Sequence, residues 1–151
     1  DYYRNSSEIY SNIKDIEIKI SFVKEKYILE GTADLVIEKN GELEIIDFKT
    51  GKRKQSSEKV YINQLEIYAY LLGKKYGRKI QRGKIYYLGE NDSKKITEVI
   101  FTEENLKRAI DDFNSVAEKI LAENYETEFD LEKEKCASCI FAAYCKNENR
   151  I

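Results

Sequence analysis

Asn40-Gly41 separates two β-rich runs, Tyr27 to Glu38 and Glu42 to Lys49, and it constrains this chain more than any other feature. A tight hairpin turn needs positive φ at its central residues, which Asn-Gly adopts at low cost, so the dipeptide marks a two-residue hairpin loop. Lys39 then faces Glu42, and counting back along both strands brings Asp34 opposite Asp47. Their Cβ atoms would lie about 5 Å apart, and like charges so opposed weaken a strand pair. A cation between them is the expected remedy. Alternation also turns Lys49 to the face of Asp47 and Phe48 to the other. A slip of one residue would undo this arrangement.

Around the hairpin the periodicity is legible. Tyr2 to Ile13 predicts a short helix. Ile16, Ile18, Ile20 and Phe22 alternate with polar residues, which predicts a strand with those four on its inner face. Ser57 is a candidate cap for a helix to about Tyr76, with Val60, Gln64, Ile67, Tyr68 and Leu71 at helical spacing. Strands are expected at Lys84 to Leu88 and Lys95 to Phe101, joined by a turn at Glu90 to Ser93. A long amphipathic helix should follow from Thr102 to about Glu123. This order predicts an α/β (α+β) domain, with a mixed central sheet flanked by helices. The expected division is a core at 1–130 and a cysteine-bearing tail at 131–151.

The chain contains no histidine. Ser-His and Cys-His nucleophiles, imidazole bases and His-ligated zinc are therefore excluded. No apolar run approaches the roughly 20 residues needed to span a bilayer, and no signal-peptide pattern opens the chain. A cytoplasmic setting with no membrane partner is expected. Because the first residue is Asp1, a fragment of a longer protein is also expected. The net charge is only −2, yet Lys49 to Lys84 holds eleven basic residues against Glu58 and Glu66, a local charge of +9. Lys52, Arg53 and Lys54 follow the hairpin directly and are candidate contacts to a phosphate backbone.

Two oxygen ligands with open positions suit Mg²⁺ or Mn²⁺, which retain waters and accept phosphate oxygens. Lys49 beside such an ion would orient or deprotonate its water, or neutralise charge developing on the phosphate. An isolated D-x-K is common, but three segments keep company here: Gly31-Thr32-Ala33-Asp34, Ile45-Ile46-Asp47-Phe48-Lys49-Thr50-Gly51 and Gln64-Leu65-Glu66-Ile67-Tyr68. Together they resemble the signature of RecB-like PD-(D/E)XK nucleases: G-x-x-D, an apolar strand ending D-x-K-T-G, and Q-x-x-x-Y on the next helix. The resemblance implies a restriction-endonuclease-like core. It also implies Asp34, Asp47 and the Phe48 carbonyl as metal ligands, Lys49 as the catalytic lysine, and Gln64 and Tyr68 as residues lining the site. Glu17 resembles the acidic position on the preceding strand, with either a metal-binding or a structural role. The histidine that many members carry upstream is absent.

Cys136, Cys139 and Cys145 follow C-x2-C-x5-C in an otherwise cysteine-free chain. This resembles the C-terminal cysteine set of AddB-type nucleases, which implies a [4Fe-4S] cluster in the full-length protein whose fourth cysteine is not in this chain. The function implied is Mg²⁺-dependent DNA hydrolysis, from an end, beside a helicase domain or subunit in recombination and repair. A CRISPR-adaptation nuclease with the same core is an alternative, though Asp47 with Thr50-Gly51 favours the helicase-linked branch. An inactive DNA-binding scaffold is a third reading, and the intact Asp34, Asp47 and Lys49 speak against it.

Overall fold

The computed structural model describes residues 12–91, 94–124 and 139–140. The chain divides into two compact units, Asp1–Ala117 and Glu118–Ile151. The first holds one five-stranded sheet in the order β1-β2-β3-β4-β5. The strands are β1 (Ile13–Val23), β2 (Ile28–Lys39), β3 (Glu42–Lys49), β4 (Arg82–Tyr87) and β5 (Ile96–Ile100). Helix α1 (Gln55–Tyr76) connects β3 to β4, and α2 (Glu103–Leu121) follows β5. Strands β1 to β3 form an antiparallel meander, β3 and β4 run parallel, and β5 returns antiparallel. This is the mixed sheet with helices expected from the sequence, an α+β fold.

The Asn40-Gly41 turn has the required geometry, with φ of 52° and 79°. It pins the register: Lys39 pairs with Glu42, and the ladder continues in step to Leu35 and Ile46. The parallel β3–β4 pair requires a long crossover, which α1 supplies. Its apolar side places Leu65, Ala69, Leu71 and Leu72 in a core with Ile18, Ile20, Ala33, Val36, Ile45 and Ile85. Glu66, buried on the same helix, receives the Arg108 guanidinium of α2 at 3.2 Å. Gly77 ends α1 in the left-handed conformation that glycine adopts without strain.

Several boundaries and faces differ from expectation. The helix expected at Tyr2 to Ile13 lies outside the described residues except for its end, where Ile13 already belongs to β1. Ile16 is 65% exposed, whereas Ile18 and Ile20 are buried as expected. Glu17 between them has φ 47°, a left-handed residue that breaks the alternation. Helix α1 begins at Gln55, two residues before Ser57. Its N-cap is Lys54, which makes no side-chain cap hydrogen bond. Val60, given an inner position by its spacing, is 65% exposed, and Tyr61 and Ile62 beside it are the residues that pack against the core. The turn expected at Glu90 to Ser93 ends in positions outside the described residues. Among the described residues no helix is long and apolar enough to cross a membrane.

Gly83 on β4 lies close beneath α1. A methyl group there would lie 2.8 Å from Leu65 Cδ2, 2.9 Å from Phe101 Cζ and 3.1 Å from the Ile45 carbonyl oxygen. Gly83→Ala should therefore cost about 1–3 kcal/mol by overpacking. Gly51→Ala, where the added carbon meets nothing within 4 Å, should stay within about 0.5 kcal/mol of the parent. Urea midpoints of the two variants measure the difference.

Candidate active site

The sheet opens at Asp34. The β1–β2 ladder pairs every residue from Asp15 to Val23 except Glu17, whose place is opposite Asp34. On the other side the β2–β3 ladder ends at Leu35 and Ile46, one rung short of Asp34 and Asp47. Asp34 is thus released from both neighbours at once. Its carboxylate takes the place of the lost rung, with Oδ2 accepting the Phe48 N–H at 2.8 Å. The side chain is half-buried and lies close enough to Asp47 for its charge to act there.

Asp47 is 3% exposed. Burial pushes its carboxyl above the ordinary range; Lys49 draws it back without cancelling the effect, and the Asp34 charge adds to the rise. The Lys49 ammonium stands 2.7 Å from Oδ2. That oxygen has no hydrogen-bond donor beyond this ion pair among the described residues. Lys49 Nζ also donates to Gln64 Oε1 at 3.0 Å, and Gln64 Nε2 donates to the Tyr68 hydroxyl at 2.7 Å. The chain of contacts therefore runs from β3 to α1 through all three motif residues. The Tyr68 ring explains Gly31 of the first motif: a methyl group on Gly31 would lie 2.7 Å from Tyr68 Cε1. Phe48 turns to the opposite face as expected, against Tyr86 with ring centroids 5.9 Å apart.

The donor set fits a divalent cation. Two carboxylates lie within electrostatic reach of each other, and the buried Asp47 Oδ2 has the Lys49 ammonium beside it but no further hydrogen-bond donor among the described residues. Among the described residues no group of three or more His, Cys, Asp or Glu side chains is gathered. An ion here would rest on Asp34, Asp47, backbone oxygen and water, the sparse protein ligation typical of Mg²⁺. Glu17 sits opposite Asp34 in register, but its side chain is exposed and has no hydrogen-bond or ion-pair partner among the described residues.

The loop after Lys49 is anchored by features that the motifs did not announce. Lys49 accepts from the Leu88 N–H through its carbonyl, and the Arg53 N–H donates to Glu90 Oε1 at 2.9 Å. The Arg53 guanidinium bonds Glu58, which also accepts from Thr97 Oγ1 at 3.1 Å. Gly89 packs directly on this loop, where a Cβ would lie 3.0 Å from the Gly51 carbonyl carbon. Of the three basic residues singled out in the sequence, Lys52 and Lys54 are exposed and Arg53 is engaged with Glu58. Cys139 is exposed and free, whereas Cys136 and Cys145 lie outside the described residues.

A family model described as the PD-(D/E)XK nuclease superfamily matches residues 2–146. The chain belongs to the PD-(D/E)XK nuclease superfamily. Solved structures share the fold. SSO0001 superposes with a TM-score of 0.53 at 18% identity, over 95% of this chain and 64% of that one. A protein of Eubacterium rectale, provisionally assigned as an exonuclease, gives 0.61 at 15% identity, over 99% and 57% respectively. This chain thus spans about three fifths of the length of those two proteins. The family match covers the whole stretch that holds Asp34, Asp47, Lys49, Gln64 and Tyr68.

The buried charge on Asp47 makes a prediction about stability. A carboxyl whose folded pKa is raised binds its proton more tightly when folded, so fold stability falls as pH rises through the range between the ordinary and the raised value. Metal-free Asp47→Asn should therefore melt at or above the parent temperature at pH 7 and lose that part of the pH dependence. Thermal melts in EDTA between pH 4 and pH 8 test this; a clear loss of stability in the variant at pH 7 would contradict it.

Proposed function

We propose that this domain hydrolyses phosphodiester bonds of DNA, with Mg²⁺ or Mn²⁺ held by Asp34, Asp47 and the Phe48 carbonyl. The observation that carries the reading is the buried Asp47 carboxylate, in contact with the Lys49 ammonium and within electrostatic reach of Asp34, at the point where the strands part. A divalent ion bound there supplies Lewis-acid polarisation of a phosphoryl oxygen and a water of lowered pKa.

The chain's own groups account for the rest. Lys49 places a positive charge at the carboxylate pair, where negative charge develops on a phosphate during in-line attack. Gln64 fixes the direction of that ammonium through its carbonyl oxygen, and Tyr68 fixes the Gln64 amide. Asp34 binds the Phe48 N–H and so ties the two strands together on which the ligands stand. Lys52 and Lys54 face solvent beside the site and would hold the phosphate backbone with little sequence preference. Attack from a strand end and association with a helicase rest on the resemblance of Asp47-Phe48-Lys49-Thr50-Gly51 to the helicase-linked branch. The cluster proposed for Cys136, Cys139 and Cys145 rests on their spacing alone.

End-labelled single- and double-stranded DNA with Mg²⁺, Mn²⁺ or EDTA tests the reading. Cleavage should require the metal and fall by about 10²-fold or more in Lys49→Ala and Asp47→Ala. Lys52→Ala with Lys54→Ala should weaken DNA binding uniformly across sequences and flatten its salt dependence by about two phosphate contacts. Cleavage that persists in Asp47→Ala or in EDTA would overturn the proposal.

A further inference from the structure

The Lys49 ammonium has a third neighbour that none of the motifs names. Its Nζ lies 4.6 Å from the centroid of the Tyr61 ring. Tyr61, Gln64 and Tyr68 stand at i, i+3 and i+7 on α1, one face of the helix. The face that carries Gln64 and Tyr68 therefore extends one turn toward the N-terminus. Beneath it, Tyr87 on β4 pairs with Lys49 in the parallel register and shares its face of the sheet. Tyr87 is fully buried, and its ring meets that of Tyr61 at 6.4 Å with a tilt of 51°. One ammonium is thus bounded by a carboxylate of its own strand and by an amide oxygen and an aromatic ring from one face of α1.

We propose that Tyr61, braced by Tyr87, is a positioning residue that holds the Lys49 ammonium between Asp47 and Gln64. A lysine side chain has four rotatable carbons and gives up much rotamer freedom when its tip is fixed. The Gln64 oxygen accepts one of its N–H groups, the Asp47 carboxylate attracts its charge, and the π face attracts that charge on a remaining side while occupying the space water would take. The hydroxyl of Tyr61 takes no part; the ring does. This rests on the reading that Lys49 acts on the scissile phosphate.

Tyr61→Leu keeps an apolar contact with Tyr87 and removes the π face, and Tyr61→Phe keeps both. In proton–carbon NMR spectra the Lys49 ε-methylene should be shifted upfield by the ring in the parent and in Tyr61→Phe, and should move to the position of the exposed lysines in Tyr61→Leu. With saturating Mn²⁺, Tyr61→Leu should lose roughly tenfold in kcat, with KM for DNA, Mn²⁺ affinity and melting temperature close to those of Tyr61→Phe. An unshifted Lys49 methylene in the parent overturns the proposal, whether or not the leucine variant folds. So does a leucine variant with parental kcat. A parent that cleaves no DNA would count against the nuclease reading alone, since the NMR comparison decides the Tyr61–Lys49 contact without turnover.

Discussion

The structure depends on a carboxylate that folding removes from water without giving it a full set of partners. Asp47 lies in a strand whose two preceding residues, Ile45 and Ile46, are fully buried on opposite faces, and it pairs with Ile85 in the parallel ladder, so the backbone has no freedom to turn it outward. A buried carboxylate is expensive unless it is paired and hydrogen-bonded. Lys49 supplies the opposite charge at Oδ2, and no further donor among the described residues reaches that oxygen. A domain of this size could bury Asn or Leu at lower cost, and sites that keep such a cost are characteristic of function.

The surrounding scaffold answers to that one group. The hairpin sets which residues meet, and the sheet then parts at the rung where ideal pairing would press Asp34 against Asp47. Parting relieves the opposed charges, and the Asp34–Phe48 hydrogen bond keeps the strands from separating further. Helix α1 contributes Tyr61, Gln64 and Tyr68 from one face, all directed at the Lys49 side of the site. The loop between β3 and α1 is fastened through Gly89, Glu90 and Glu58, which keeps the basic stretch next to the carboxylates. Membership of the PD-(D/E)XK nuclease superfamily agrees with this convergence.

Much of this was legible in the sequence because short-range rules governed it. Asn40-Gly41 carried the register, and the register carried the placement of Asp34, Asp47 and Lys49. The Gln64–Tyr68 pair followed from helical spacing. What escaped depends on tertiary context. The left-handed Glu17 that exposes Ile16 has no local signal, since glutamate is not a residue chosen for positive φ. Val60 fits the helical period, yet it is exposed while Tyr61 beside it packs inward. The contact of Gly89 with Gly51 joins residues 38 positions apart, and neither glycine differs locally from a turn glycine. Tyr61 belongs to none of the three motifs, and only the parallel register of β3 and β4 reveals that Tyr87 supports it beneath Lys49.

The central claim is that Asp34 and Asp47 together form a divalent cation site. Calorimetric titration of the metal-free domain with Mn²⁺, beside Asp34→Asn and Asp47→Asn, tests it most directly. The account predicts saturable binding by the parent, with proton release that grows as the pH is lowered toward the raised Asp47 value, and strongly weakened binding in each variant. Equal Mn²⁺ affinity in the parent and both variants, or no saturable binding by the folded parent, would contradict it.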